Sequence, residues 1–185
     1  MYLMVGLGNP GREYEQTRHN AGFLAIDTLA DSSSWKTQGN SLVQKKQIGK
    51  HEVILAKPQT FMNLSGGAVQ SLLSWYKIPV SRLLVFSDDV NLDAGRIRIR
   101  PKGSHGGQNG LRDIIARIGD DFARVRLGVG KPPLLWDLAD FVLSKFTPED
   151  KTLFSHALNE IPKLAEVYLS LGINVCMDRY NGFQP

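Results

Sequence analysis

The sequence predicts an α/β fold: a single domain over residues 1–185, with a mixed, twisted sheet flanked by helices on both faces. Three observations predict it. Strand-like and helix-like segments intermingle along the chain. The run Leu83-Leu84-Val85-Phe86 is continuously apolar, as in a strand covered on both faces. The segment Arg96-Ile97-Arg98-Ile99-Arg100 alternates, as in a strand with one wet face.

The elements follow in chain order. Met1 to Val5 reads as a strand ending in a glycine turn. No basic region precedes it and no cleavage pattern follows, so a signal peptide is not expected. Asn20 to about Ala30 reads as a helix, with Phe23, Leu24, Ile26 and Leu29 on its apolar side. Leu42 to Ala56 reads as two strands around Gly49-Lys50. Gly67 to Lys77 is helical by the spacing of Val69, Leu72, Leu73 and Tyr76. Leu111, Ile114, Ile115 and Ile118 mark a helix after Asn109, and Arg124 to Val129 a further strand. Thr147-Pro148-Glu149-Asp150 is a helix start: a capping hydroxyl, proline at the first position and acids at the positive end. That helix runs toward Leu171, with a kink or division expected at Pro162. The last few residues read as a flexible tail.

Composition narrows the function. No run of about 18 apolar residues occurs, so no membrane span is expected. Cys176 is the only cysteine, which excludes an internal disulfide framework and a cysteine-based zinc site and suits the cytoplasm. The net charge of +4 is unevenly placed: Arg96 to Lys131 carries nine Lys/Arg against three acids, and the rest of the chain is mildly acidic. A basic block on such a body suggests an anionic partner meeting one face, against the plainer reading of a solvated surface.

Five motifs carry the candidate chemistry. Gly6-Leu7-Gly8-Asn9-Pro10-Gly11 fits the letter of a dinucleotide fingerprint. Pro10 and the polar run to Thr17 delay the helix, however, and a hairpin replaces the crossover strand, so a turn presenting Asn9 is the better account than an NAD site. Thr17-Arg18-His19-Asn20 places an imidazole, the side chain suited to proton transfer near neutral pH, at the mouth of a helix that Asn20 would cap. In Phe61-Met62-Asn63-Leu64-Ser65-Gly66-Gly67, Ser65 is the expected cap and Asn63 is left unexplained; Phe61 and Met62 are core or a contact surface. Ser87-Asp88-Asp89 puts carboxylates at the end of a buried strand, where α/β sheets build sites. Asp88 is favoured as the group that orients an imidazole. His19, His51, His105 and His156 are scattered, so no metal site is expected. Gly103-Ser104-His105-Gly106-Gly107-Gln108-Asn109-Gly110 offers close backbone approach to a ligand, with Asn109 either in the site or only a helix cap.

In this order the motifs resemble those of the bacterial peptidyl-tRNA hydrolase family, and similarity continues through Arg124 to Gly130 toward the tail. The resemblance implies hydrolysis of the ester between a peptide and the 3′-terminal ribose of tRNA. It implies His19 as general base, Asp88 as its orienting partner, Asn9, Asn63 and Asn109 as site amides, and Tyr14 and Met62 as substrate contacts. Arg100 and Arg126 match residues that grip tRNA. The implied protein is a cytoplasmic monomer that needs no cofactor or metal and has no DNA or membrane partner. Gln108, Ser87 and Lys131 stand where the family often has His, and Asp89 where it often has Glu. The rival reading is an RNA-binding relative that has lost catalysis. His19, Asp88 and the three site asparagines are expected to line one pocket. On this reading, release of the acyl group from N-blocked aminoacyl-tRNA should be unchanged by EDTA. Inhibition reversed by a divalent ion would overturn it.

Overall fold

The computed structural model describes residues 1–185. Its strands are β1 (Tyr2–Gly6), β2 (Lys36–Gln38), β3 (Ser41–Ile48), β4 (His51–Pro58), β5 (Leu83–Asp89), β6 (Ile97–Arg100) and β7 (Ala123–Gly128). They form one sheet in the order β2-β3-β4-β1-β5-β7-β6. The central four, β4, β1, β5 and β7, are parallel; β2, β3 and β6 are added antiparallel at the edges. The helices are α1 (Ala21–Leu29), α2 (Ser65–Tyr76), α3 (Asn109–Ile118), α4 (Leu138–Val142), α5 (Pro148–Leu171) and α6 (Ile173–Tyr180).

Side-chain alternation along the strands divides the core into two layers. Met4, Leu55, Leu84, Phe86, Val125 and Leu127 pack with α1, α5 and α6. Leu3, Val5, Ile54, Leu83 and Val85 pack with α2 and α3 on the other face. This is the mixed sheet with helices on both faces that the sequence predicts. No helix is long and apolar enough to cross a membrane.

The parallel core puts the carboxyl ends of β1, β4, β5 and β7 along one edge. Each motif loop leaves from that edge or returns to it. Glycines let α1 lie close there. A Cβ at Gly6 would meet the Gly22 carbonyl, and one at Gly22 would meet the backbone of Leu7 and the Phe86 carbonyl. The first glycine motif therefore serves helix–sheet contact, and its turn sits at Gly11, where φ is +114°.

Several local details differ from the expectations. The short edge strand β2 and the helices α4 and α6 carry too little periodicity to be read in advance. Ser65 is not the cap of α2: its hydroxyl donates to the Met62 carbonyl at 2.7 Å. The Gly66 N–H instead donates to the Asp113 carboxylate of α3, also at 2.7 Å. Nor is Asn109 the cap of α3; Gln108 accepts from the Leu111 N–H at 2.8 Å, one residue earlier. Asn20 precedes α1 without a side-chain cap bond. Thr147 caps α5 as expected, accepting from the Asp150 N–H at 3.1 Å. Pro162 does not divide α5, which runs its full 24 residues because Ile161, Leu164 and Ala165 bury its inner face. Four residues before the chain end, the Asn181 amide bonds both backbone groups of Ile99 on β6, at 2.7 and 3.3 Å.

The packing at Gly22 yields a stability prediction. Gly22→Ala should cost about 3 kcal/mol, the upper end of overpacking, because backbone surrounds the added carbon and cannot yield. In a chain of this size that lowers Tm by roughly 6–12 °C. Gly182→Ala, where nothing lies within 4 Å, should leave Tm unchanged in the same calorimetric scan.

Candidate active site

The site begins with an amide lock on the loop after β1. The Asn20 side chain accepts from the Asn9 N–H at 2.8 Å and donates to the Asn9 carbonyl at 3.0 Å. The Asn9 side chain is fixed in turn, its Oδ1 accepting from the Met62 N–H at 2.9 Å. Only the oxygen of an amide can take that bond, so the orientation is decided and Nδ2 remains as a donor.

Beside it stands a buried charge pair. His19 Nδ1 lies 2.9 Å from Asp88 Oδ2, with 10% and 3% of the two side chains exposed. A carboxylate only accepts, so Nδ1 carries the proton of the neutral ring and Nε2 is left as the base. The second Asp88 oxygen, Oδ1, accepts from Gln108 Nε2 at 3.0 Å. Burial is the largest influence on His19 and pulls its pKa down. The charge and hydrogen bond of Asp88 together outweigh it, and the net value is above the ordinary 6.5.

Asn9, His19, Asp88, Asn109 and Arg126 line one cavity of about 460 Å³, closed on another side by α4. An imidazole paired with a carboxylate, an oriented amide donor and an arginine thus line a common space. No group of three or more His, Cys, Asp or Glu is arranged to hold a metal ion.

The family profile described as Peptidyl-tRNA hydrolase matches residues 3–185. The chain belongs to the peptidyl-tRNA hydrolase family. The peptidyl-tRNA hydrolase of Lachnoclostridium phytofermentans is 47% identical over 185 residues, covering 98% of this chain and 97% of the relative. That of Chloroflexus aurantiacus is 47% identical over 186 residues, covering 98% and 99%. The crystal structure of the peptidyl-tRNA hydrolase from Acinetobacter baumannii matches with a TM-score of 0.94 at 35% identity, over 100% of this chain and 96% of that one.

The remaining residues singled out by resemblance to the peptidyl-tRNA hydrolases fall at varied distances from the cavity. Met62 is buried and touches the site through its backbone bond to Asn9 and its sulfur, 3.3 Å from Gln108 Nε2. Its neighbour Phe61 is 62% exposed. Asn63 is exposed in the 3-10 turn Met62–Leu64 and is not part of the cavity lining. Tyr14 is half-buried in another 3-10 turn and is likewise outside the lining. Asn109 stands exposed at the rim, its Oδ1 accepting from Arg112 at 3.1 Å. Arg100 is exposed on β6, and its guanidinium bonds the Ile99 carbonyl at 2.9 Å. The adjacent acids face different partners. Asp88 meets His19, whereas Asp89 lies 3.7 Å from Arg126.

Sequence reasoning missed four supports. Asn20 holds Asn9. Arg18 clamps α4 and the start of α5 beside His19, bonding Val129, Ser144 and Lys145 backbone or hydroxyl groups at 2.6–3.1 Å with its face over Phe141 at 4.3 Å. Arg124, fully buried, ties the glycine loop through Gly103 and Ser104. Burial first, then the charge of Arg126, lowers its pKa to about 10. Finally, α4 supplies the cavity wall, below a lip where Leu134 and Leu135 are 91% and 96% exposed. A polar residue within a buried pattern, such as Arg124 in its strand, is the one signal of these supports that a sequence carries.

The pair predicts a pH profile. A raised His19 value means that the protonated form stabilises the fold below pH 6.5, and that this contribution is lost as pH rises through the folded value. With His19 read as the base, activity requires its neutral form and should appear over that same upward range. In Asp88→Asn the raising influences vanish and burial remains, so the acid limb of kcat/KM should move below pH 6.5, at much reduced turnover. An unmoved limb would show that His19 does not set it.

Proposed function

We propose that this chain hydrolyses the ester joining a peptide, or an N-blocked aminoacyl group, to the 3′-terminal ribose of tRNA, with His19 as general base. The observation that carries the reading is the 2.9 Å contact of His19 Nδ1 with Asp88, which leaves Nε2 facing the cavity beside the Asn9 amide. A water attacks the ester carbonyl and gives its proton to Nε2. Asp88 holds the tautomer and steadies the imidazolium. Asn9 Nδ2 donates to the oxygen that gains charge in the tetrahedral intermediate. One such donor is worth about 3 kcal/mol of barrier. The intermediate expels the ribose oxygen, which takes the proton back from His19. Asn109, at the rim, positions the substrate, and Met62 acts from beneath through its backbone bond to Asn9. Contacts by Asn63 and Tyr14, outside the lining, would fall on parts of the substrate beyond the cavity.

The arginines suit the anionic half of the substrate. Arg98 pairs across the sheet with Arg126, and Arg100 with Arg124. Residues directly opposite share a face, so Arg98, Arg100 and Arg126 form a stripe that ends at the cavity. Acceptor-stem phosphates fit this stripe, which carries no sequence information. Arg126 also bonds the Ser104 carbonyl at 2.5 Å and so shapes the loop.

Two substrates separate catalysis from grip. His19→Ala should abolish turnover of whole N-blocked aminoacyl-tRNA and of a minimal blocked aminoacyl ester alike, with tRNA affinity retained. Retained turnover would overturn the assignment of His19 as the base, and no turnover by the unaltered chain would favour the non-catalytic RNA-binding reading. Removing the charge of Arg100 should raise KM for whole tRNA, flatten its salt dependence and spare the minimal ester. Removing that of Arg126 should impair both substrates. Equal losses on both substrates for Arg100 would mean that it shapes the site and does not hold RNA.

A further inference from the structure

We propose that Gln108 is a positioning residue for hydrolysis: its immobilised amide aligns the Asp88 carboxylate and, through it, the His19 imidazole. The inference rests on His19 acting as the base. Every polar atom of the Gln108 amide is committed. Oε1 accepts the Leu111 N–H at 2.8 Å, which fixes the orientation of the amide. Nε2 then presents its two hydrogens to Asp88 Oδ1 at 3.0 Å and to the Met62 sulfur at 3.3 Å. The first turn of α3 has room for this side chain because residue 110 is glycine. A Cβ there would lie 2.7 Å from the Met62 sulfur and 3.0 Å from Gln108 Oε1.

The consequence is a linear relay: the Leu111 N–H holds Gln108, Gln108 holds Asp88, and Asp88 holds His19. Asp88 has one donor on each oxygen, Gln108 on Oδ1 and His19 on Oδ2. With Gln108 in place, the carboxylate plane is set, and part of its charge is met by a neutral donor. Without that donor, His19 alone would answer a buried charge. The imidazole would then hold its proton more tightly and be a poorer base at neutral pH.

The other charged or titratable groups near the pair are otherwise engaged. Asp89 and Arg126 face each other at 3.7 Å. His105 Nδ1 accepts the Gly107 N–H at 2.9 Å, and Asp137 caps α4 through the Ala139 N–H at 2.9 Å. Arg18, next to His19, is spent on Ser144, Lys145 and Asp150. None of these hydrogen-bonds Asp88.

Two variants of the full chain test this, with kcat and KM measured on N-blocked aminoacyl-tRNA across pH. Gln108→Met keeps the bulk beside Met62 and removes the donor together with the helix cap. Gln108→Glu keeps an acceptor for the Leu111 N–H but sets a carboxylate against Asp88. In both, the acid limb of kcat/KM should move to higher pH, further in the glutamate variant because like charges now adjoin. For Gln108→Met, kcat at neutral pH should fall about tenfold with KM unchanged, the rate equivalent of one lost hydrogen bond to a charged group. An unmoved limb and wild-type kcat in both variants, with only Tm reduced, would make Gln108 a helix cap and nothing more. That result would leave the role of His19 standing, since His19→Ala tests it separately.

Discussion

The site depends on how closely α1 lies against the carboxyl ends of β1 and β5. Gly22 sits where any side chain would strike the backbone of Leu7 or Phe86, two residues already joined by the Leu7 N–H to Phe86 carbonyl bond of 3.0 Å. That contact brings the turn preceding α1 down onto the end of β5. The imidazole of His19 therefore meets the carboxylate of Asp88 across 69 residues of sequence. A helix standing off by one more methyl group would separate the pair. It would also loosen Asn20 from Asn9, because both bonds leave the same turn.

Around that contact the buried polar groups follow a common rule. Asn9 and Gln108 each commit their carbonyl oxygen to a backbone N–H, which fixes the amide and aims its nitrogen inward. Such locks matter more in a buried site than in water. Hydrogen bonds there are stronger, and a stray donor or acceptor is costly. The amides are thus fixed by backbone, which is the preorganisation that the proposed hydrolysis would use.

The basic residues divide by the same logic. Arg124 is enclosed, stacked 4.1 Å over Phe122 and bonded to loop carbonyls, so it builds the glycine loop. Arg98 and Arg100 project from the edge strand β6 into solvent. Arg126 belongs to both groups, half-buried between Asp89 and Ser104 yet lining the cavity. One alternating pattern over two paired strands thus supplies a structural cation, a site cation and a surface stripe. Period and composition also locate β1, β5, the β3–β4 pair and the helices α1, α2, α3 and α5, because each buries a regular apolar face. The elements they do not locate share a cause. β2, α4 and α6 are short or irregular, and α4 and α6 are held by contacts distant in sequence, such as Arg18 on Ser144 and Asn181 on Ile99. Asparagine is the commoner helix cap, which favours Asn109 for α3 on sequence grounds; the longer Gln108 reaches the Leu111 N–H from one residue earlier.

The sequence by itself determined the class of fold, the order of its main elements and the chemical types available to the site, since these follow from local periodicity and side-chain chemistry. Its motifs also named His19, Asp88, Asn9 and Asn109, which the fold gathers around one cavity. Only the tertiary structure decided which nitrogen of His19 is free, which way the Asn9 amide points and that Gln108 stands behind Asp88. It also decided that Asn63 lies outside the cavity while α4 forms its wall. Those outcomes turn on hydrogen bonds and close packing between segments far apart in the chain, and a one-dimensional pattern carries no record of which donor will reach which acceptor.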